Sequence, residues 1–452
     1  MQELTEKRLK RQVIGKQHRF LAIVPLGFEQ TLVNEIFSIR RQFNLSEHAS
    51  EPFEIKIVGD GKIEFSCKIT EAWKTVAFCR IANRVLMHLA DFKAENFREL
   101  EKKSADVPWV LFLDERRINI HVSCKHSRLY HSDAVAERLY KIIGGSLPPA
   151  PADTASAPPS PRGSAPNTPT QNIYATLIDD RCTIWLDLAG EELYKRGHER
   201  FVNDAPLKET IAAGMIFEAT NGLSSDSYCL LDLMAGSGTF SLEAAYITNK
   251  LIPGVCRDFS LKHQPAFKEA TWNFIINSNT ECRKPEGVAS ANKKKEPLFR
   301  IVTSDISPKA VEIIQHNVDS SPLASIEQVP VTPKVKDFFS YSTQDITDAC
   351  QGESVPVMVL NPPYGKRLDF DAPKLYTRIG RRLAELARPL KAAGKPLTVA
   401  ILAPKDEPSA KYTCTSNLLR ECPGLSPDHN PEAKRIVTSH GGLTLNIFIA
   451  KI

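Results

Sequence analysis

The chain has 452 residues, 42% of them hydrophobic and 25% charged. That is about three times a typical domain of ~150 residues, so two or three domains with separate cores are expected. Lys and Arg number 58 against 53 Asp and Glu, a net charge of +5, too small to prove an acidic partner, so the location of the charge has to decide. Ten cysteines without a Cys-x-x-Cys pair exclude a disulfide scaffold and a zinc ribbon and fit a reducing compartment. Met1-Gln2-Glu3-Leu4 opens no apolar signal segment, and no window approaches the ~18–20 apolar residues of a membrane helix. The expectation is a soluble, cytoplasmic protein with neither membrane nor metal as partner.

In chain order, residues 1–18 carry Lys7, Arg8, Lys10, Arg11 and Lys16 against Glu3 and Glu6 and read as a basic flexible arm. Phe20 to Val24 is a buried-strand run. Pro25-Leu26-Gly27-Phe28 is a turn, and Leu32, Val33, Ile36 and Phe37 repeat at helical spacing. Ile55–Ile57 and Lys62–Phe65 alternate as strands around Gly59-Asp60-Gly61, a hairpin signal. A helix is predicted from about Thr70 to Ala82, strands at 84–92 and 117–124, a helix over 131–143, and a hairpin over 173–188 turning at Asp179-Asp180. Ser146 to Gln171 holds eight of the 31 prolines and one large apolar residue, Leu147; it cannot offset its chain entropy and reads as a disordered insert. Residues 19–195 are therefore expected to form an α+β region interrupted at 146–171.

Asn203-Asp204 ahead of Pro206 reads as a helix start. From there to residue 452, apolar strands at 230–234, 300–304, 356–360 and 397–402 alternate with helices at 242–248, 308–317 and 375–386. This is the pattern of a mostly parallel sheet covered on both faces. The run 444–449 is predicted as an edge strand. Arg283 to Arg300 holds six Lys/Arg against Glu286 and Glu296 and reads as an exposed basic loop, either solvated or in contact with phosphates.

The sharpest signal is the strand–glycine loop–helix at Leu230-Leu231-Asp232-Leu233-Met234-Ala235-Gly236-Ser237-Gly238-Thr239-Phe240. Ligands of open α/β sheets sit beyond the carboxyl ends of the strands, where this loop falls. A dinucleotide fingerprint wants glycine where Ser241 stands, a P-loop wants a lysine after Gly238, and a nucleophile elbow wants glycines at Ala235 and Thr239. What remains is an Asp-x-x-x-Gly-x-Gly loop suited to S-adenosyl-L-methionine, with Asp232 available to its ammonium group. Asp305 ends the second strand, where a carboxylate can accept two ribose hydroxyls; Ile306 follows it as a cover for adenine, and Asp337 ends the third. The fourth strand delivers Asn361-Pro362-Pro363-Tyr364. An aromatic amino group is a poor nucleophile, and two acceptors, the Asn361 amide oxygen and the Pro362 carbonyl, can bind both its N–H groups. Prolines fix φ and remove competing donors, while Tyr364 offers a face for an extruded base.

The order Asp232…Gly238, Asp305, Asp337, Asn361-Pro-Pro-Tyr364 is similar to that of class I methyltransferases acting on planar amino groups. Gly365-Lys366-Arg367-Leu368, Leu193-Tyr194-Lys195-Arg196-Gly197 and Ala205-Pro206-Leu207-Lys208-Glu209-Thr210 narrow this. With Pro25-Leu26-Gly27-Phe28-Glu29, Ile81–Leu86 and Asp91–Glu95, they resemble the THUMP-domain guanine-N2 RNA methyltransferases, above all the bacterial large-subunit ribosomal RNA enzyme. The resemblance implies an α/β architecture: a ferredoxin-like plus THUMP RNA-binding region over 19–195, then a Rossmann-like domain over 196–452. It also implies that Asp232, Ala235, Gly236, Ser237, Gly238, Asp305, Ile306 and Asp337 bind the cofactor, with Thr210 near its methionine end, and that Asn361, Pro362 and Tyr364 hold guanine. Lys366 departs from the acid common in the ribosomal enzymes. Lys125, His126, Arg128 and His131 are candidates for RNA phosphates; the two histidines, five apart, do not have metal-ligand spacing.

The expected activity is cofactor-dependent N2-methylation of guanine in structured RNA, most of all large-subunit ribosomal RNA. Transfer RNA is an alternative substrate. Adenine-N6 or protein-glutamine methylation, and a non-catalytic RNA-binding assembly factor, are more distant alternatives.

Overall fold

A computed structural model describes residues 2–43, 53–114, 118–147, 171–202, 206–223, 227–278, 300–325, 331–351, 354–364, 371–406 and 413–452. The Asn203-Asp204 start, nearly all of the 146–171 insert, most of the 283–300 loop and Gly365–Leu368 lie outside the described residues. The chain divides into two units: Met1–Ile23, Ile36–Lys195 and Cys256–Asn279 form the first, Val24–Glu35, Arg196–Val255 and Thr280–Ile452 the second. A main division thus falls at 195/196, with two segments on the far side of it.

The first unit contains α1 (Gln2–Leu9), β1 (Gln17–Ile23), part of α2 (Glu29–Gln42), β2 (Ile55–Gly59), β3 (Lys62–Lys68), α3 (Ile69–Phe78), β4 (Arg84–Lys93), α4 (Phe97–Ala105), β5 (Ile118–Lys125), α5 (Ser132–Ser146), β6 (Gln171–Ile178) and β7 (Arg181–Asp187). Its sheet runs β2-β3-β1-β4-β7-β6-β5, antiparallel except for β5 beside β6. Alternate residues Phe20, Ile63, Phe65, Val85, Met87, Ile173 and Ile184 are buried on one face, the period of two that a one-sided core requires. The hairpin turn of β6–β7 is at Asp179-Asp180, both with positive φ, as a tight two-residue connection demands.

One expectation fails here, and one helix lies outside the expected elements. The N-terminal segment is not a flexible arm: α1 continues into a π-helical turn over Lys10–Ile14, and Leu9 and Val13 are buried. Its basic residues line the outside of a helix whose two apolar side chains have a core to enter. Helix α4 was also unread; Asn96 caps it through a bond from the Glu99 backbone N–H at 3.0 Å, a capping signature present in the sequence. The segment after 256 joins this unit for a polar reason. Arg257 donates to the carbonyls of Glu191 and Glu192 at 2.7 and 2.8 Å, and buried Gln171 exchanges bonds with Ser260.

The second unit contains α6 (Glu209–Ala219), β8 (Tyr228–Asp232) and α7 (Thr239–Thr248); α8 (Glu269–Ser278) belongs to the first unit. There follow β9 (Arg300–Asp305), α9 (Pro308–Asp319), β10 (Pro333–Val335), α10 (Thr343–Ala349), β11 (Val355–Leu360), α11 (Ala372–Ala392), β12 (Thr398–Pro404), α12 (Cys414–Glu421), β13 (Lys434–His440) and β14 (Leu443–Lys451). The sheet order is β10-β9-β8-β11-β12-β14-β13. Its first five strands are parallel. Leu231, Met358, Leu360, Val399 and Ile401 pack with Ile346 of α10, Ile379, Leu383 and Leu386 of α11 and Leu418 of α12 in one core; α6, α7 and α9 lie against the sheet with buried residues of their own.

Two further expectations are corrected. Helix α6 starts at Glu209, after Lys208 and without a side-chain cap, not at Pro206. The last strand is not at the edge: β14 lies between β12 and β13. Its residues Leu445 to Ala450, Asn446 included, are all buried, as in a strand covered on both faces, and β13 takes the edge.

Gly27 carries the close approach of the 24–35 segment to β13. Its φ is +85°, and a Cβ there would stand 2.5 Å from Ile436 Cγ2 and 2.6 Å from the Val437 carbonyl oxygen. Gly27→Ala is therefore expected to destabilise the second unit by roughly 2–4 kcal/mol, from left-handed strain plus displaced backbone. Thermal unfolding checks this, and an unchanged midpoint would contradict it.

Candidate functional site

Strand β8 is the centre from which the site is built. The chain passes from β8 outward to β9 and β10, then returns to the other side of β8 as β11 and continues to β12. The direction of winding therefore reverses between β8 and β11, and at such a switch point the loops leaving the carboxyl ends turn apart and open a crevice. The glycine loop leaves β8 and the double-proline tip leaves β11. Asp232, Asp305 and Asn361 thus come to the same end of three adjacent parallel strands.

Asp232 is fully buried. Its Oδ2 accepts from the Ser241 backbone N–H at 3.1 Å and from the Ser241 hydroxyl at 2.7 Å. Its Oδ1 is buried with no partner among the described residues. Burial, aided by the charge of Asp305 and opposed by the Ser241 bonds, pushes its carboxyl up to about 7. A buried carboxylate with one orphaned oxygen is costly unless a donor or cation completes it, and an ammonium group fits that vacancy in bonding.

The two loop glycines do different work. Gly236 has φ +56°, and a Cβ there would meet nothing within 4 Å; its backbone borders open space. Gly238 has φ +78°, and its Cβ would press on Ile314 of α9 at 3.0 Å. Gly238 is therefore a packing and helix-start glycine, not a second point of close approach. The loop is tied to the next strand: the Ala235 N–H donates to the Ser304 carbonyl at 3.0 Å and the Gly236 N–H to Asp305 Oδ2 at 2.9 Å. Asp305 Oδ1 accepts from the Ser307 N–H at 2.9 Å. Both oxygens are thereby oriented, and each keeps a free acceptor direction for a hydroxyl. Ile306, beside it, is 67% exposed, a large apolar side chain left open at the rim. Asp337 caps the short turn Phe338–Ser340 through the Phe339 N–H at 3.0 Å. Thr210 is fully buried in the first turn of α6.

At the other side of the crevice Asn361 Oδ1 is buried without a partner among the described residues. Pro362 is buried and Pro363 exposed. Burial pushes the Tyr364 hydroxyl up to about 12. Tyr376 of α11, fully buried, directs its hydroxyl to the Leu402 carbonyl at 3.0 Å and lies 3.5 Å from the Pro362 carbonyl. One proton serves the shorter contact, so the Pro362 oxygen keeps its acceptor capacity.

Sequence reasoning missed four contributors. Ser241, read only as a missing glycine, is the partner of Asp232. Arg200 donates to Ser237 Oγ at 3.2 Å and also bonds Thr239 Oγ1 and Glu209. Asn317, fully buried, donates to the Ser237 carbonyl at 3.1 Å and exchanges bonds with the Phe201 backbone. Tyr376 sets α11 beside the tip through its bond to Leu402. Arg196 forms a buried two-point pair with Glu243 of α7 at 2.8 and 3.1 Å, which shows why the Lys195-Arg196-Gly197 string is more than a surface charge run. In the first unit Arg128 faces Glu95 and Asp180, and His126 lies 4.0 Å from Asp179. Among the described residues no group of three or more His, Cys, Asp or Glu could hold a metal ion, and no helix is long and apolar enough to cross a membrane.

A doubly wound sheet with these two loops at its switch point is a Rossmann-like methyltransferase domain. Residues 196–395 match the family model described as RMKL-like, methyltransferase domain. The ribosomal RNA large subunit methyltransferase K/L of Alteromonas mediterranea is 30% identical over 314 residues, 69% of this chain and 40% of that protein. The protein of the same name from Allochromatium vinosum is 26% identical over 341 residues, 72% of this chain and 42% of its own length. The chain spans less than half the length of these curated relatives. The solved structure of SMU.472 complexed with SAH has the same fold over both units, with TM-score 0.69 and 22% identity, covering 96% of this chain and 98% of that one.

Arg200→Ala should loosen the glycine loop, because charge-assisted bonds to Ser237 and Thr239 are each worth about 1.5–3 kcal/mol. Hydrogen exchange of residues 235–241 is expected to accelerate roughly ten- to a hundredfold, at 1.4 kcal/mol per tenfold, while α11 stays protected. Unchanged exchange in the loop would show that Arg200 does not brace it.

Proposed function

We propose that the protein is an S-adenosyl-L-methionine-dependent RNA guanine-N2 methyltransferase acting on large-subunit ribosomal RNA in the cytoplasm. Residues 19–195 serve in this reading as a ferredoxin-like plus THUMP region that binds the RNA. The observation that carries the proposal is the pair of orphaned acceptors, Asp232 Oδ1 and Asn361 Oδ1, on adjacent parallel strands at one crevice. The names of the relatives over 69% and 72% of the chain support RNA as the substrate. SAH, the demethylated form of the cofactor, occupies the relative of the same fold.

The residues present fit the cofactor. Asp232 would meet its ammonium group, the Gly236 backbone would border it, Asp305 would accept its ribose hydroxyls, and Ile306 would cover the adenine from the open side. Ala235, Ser237 and Gly238 shape the loop, Asp337 would lie at the adenine edge, and Thr210 would lie under the methionine end. When bound, the cofactor supplies an electrophilic methyl group on a sulfonium.

At the tip, Asn361 Oδ1 and the Pro362 carbonyl accept the two N–H groups of the guanine amine. Holding both protons favours a pyramidal nitrogen, whose lone pair is withdrawn from the ring's π system and localised towards the methyl carbon. Donors and acceptors preorganised in a desolvated site need no reorganisation during the reaction. Tyr364 offers its ring to the extruded base, whose unstacking it offsets. The N–C bond would form as the methyl–sulfur bond breaks to leave a neutral thioether, and the cationic amine would then lose one proton to water, which Asn361, uncharged, orients without taking it up.

Asn361→Ala is expected to lower methyl transfer to ribosomal RNA by at least about a hundredfold, as for loss of one preorganised polar group, with cofactor affinity within threefold by calorimetry. Normal turnover in that variant would overturn the mechanism. A second prediction follows from Asp232. A cationic ligand favours its carboxylate, so the proton held below about pH 7 must leave on binding. Cofactor affinity should therefore rise several-fold from pH 6 to 7.5, and Asp232→Asn should flatten that rise as well as weaken binding. A wild-type affinity independent of pH would contradict this role.

A further inference from the structure

We propose that the outer face of α11 is a track for the phosphates of the RNA that flanks the target base. This rests on the RNA reading above and adds a surface that no motif marked. Tyr376 donates to the Leu402 carbonyl at 3.0 Å and lies 3.5 Å from the Pro362 carbonyl, which sets the first turns of α11 beside the double-proline tip. The helix buries Tyr376, Ile379, Leu383, Leu386 and Leu390, which fixes what the opposite side presents.

That opposite side is predominantly basic. Lys374, Arg378, Arg381 and Arg388 are exposed at positions that fall within one stripe, interrupted by a single acid, Glu385. The stripe runs about 21 Å at 1.5 Å per residue, enough for several nucleotide steps. Helix α9 shows what an ordinary solvated face of this unit looks like: exposed Lys309 stands with Glu312 and Asp319. Helix stability does not explain the difference. A cation in the first turn opposes the helix dipole, yet Lys374 stands there and the turn holds no acid.

The cations are mostly unspent. Arg381 meets Glu421 at 3.3 Å, and Arg378 lies 4.1 Å over the Phe339 ring, which holds its guanidinium in place without neutralising it. Lys374 and Arg388 have no carboxylate within ion-pair distance among the described residues. A polyanion strung past the tip would find an aligned row of positive charge beginning at the site itself, and release of its counterions would drive contact.

The test is the full chain with Lys374→Gln, Arg378→Gln and Arg388→Gln combined. Its binding to an unmodified transcript of large-subunit ribosomal RNA is measured from 50 to 200 mM KCl. Each lost phosphate contact should remove about 0.7–0.9 from the slope of log affinity against log salt, so the slope should fall by about 2–3. Affinity at 100 mM KCl should fall at least tenfold, with the unfolding midpoint and cofactor affinity unchanged. A wild-type protein that binds and methylates the transcript, beside a variant with the same slope and affinity, would overturn the track alone. A wild-type protein that binds no RNA would overturn the reading beneath it as well.

Discussion

The reversal of winding between β8 and β11 is the constraint from which everything else in this molecule follows. Parallel neighbours send their loops out of the same end of the sheet, and a change of direction leaves those two loops unpacked against each other. A ligand that needs two unrelated kinds of contact, a cation-accepting carboxylate and a pair of amine acceptors, is served by exactly two such loops. Neither loop could do this alone. The glycine loop has backbone access but no second acceptor of the right kind, and the double-proline tip has acceptors but no site for a donor of methyl groups.

Precision is supplied from further away. Ser241 and Thr303 link Asp232 to β9 by hydroxyl bonds at 2.7 and 2.8 Å. Asp305 holds the Gly236 N–H, so the two candidate cofactor carboxylates also fix the loop between them. Arg200 and Asn317 then hold Ser237 from the side chain and from the carbonyl respectively. The same buried polar groups that would be a liability in an apolar core become a rigid frame once each has its partner. Asp232 Oδ1 and Asn361 Oδ1, buried without a partner among the described residues, are the proposed points of contact with ligand.

Much of this was legible in the sequence, and the limits have physical causes. Strands β8, β9, β11 and β12 were readable because buried parallel strands are continuous apolar runs with loop residues at their ends. Asp232, Gly236, Asp305 and Asn361 were readable because each stands at such an end. Arg200, Asn317 and Tyr376 were not, because their partners lie 37, 80 and 26 residues away, and nothing local distinguishes them from surface arginine, helix asparagine or core tyrosine. Gly238 looked equivalent to Gly236 until Ile314 of α9 was seen beside it. The N-terminal residues looked like a free arm because charge dominates their composition, although Leu9 and Val13 were the telling pair. The run Leu445 to Ala450 did carry its own signal for a central strand, and its place near the end of the chain obscured it.

The central claim is that a methyl donor and the amino group of guanine meet at this one rim. The most direct measurement is incubation of the purified protein with isotope-labelled S-adenosyl-L-methionine and large-subunit ribosomal RNA that lacks the modification, followed by mass spectrometry of its nucleosides. Label in N2-methylguanosine is the result this account predicts. Label in N6-methyladenosine, label on protein alone, or no transfer to the RNA would contradict it.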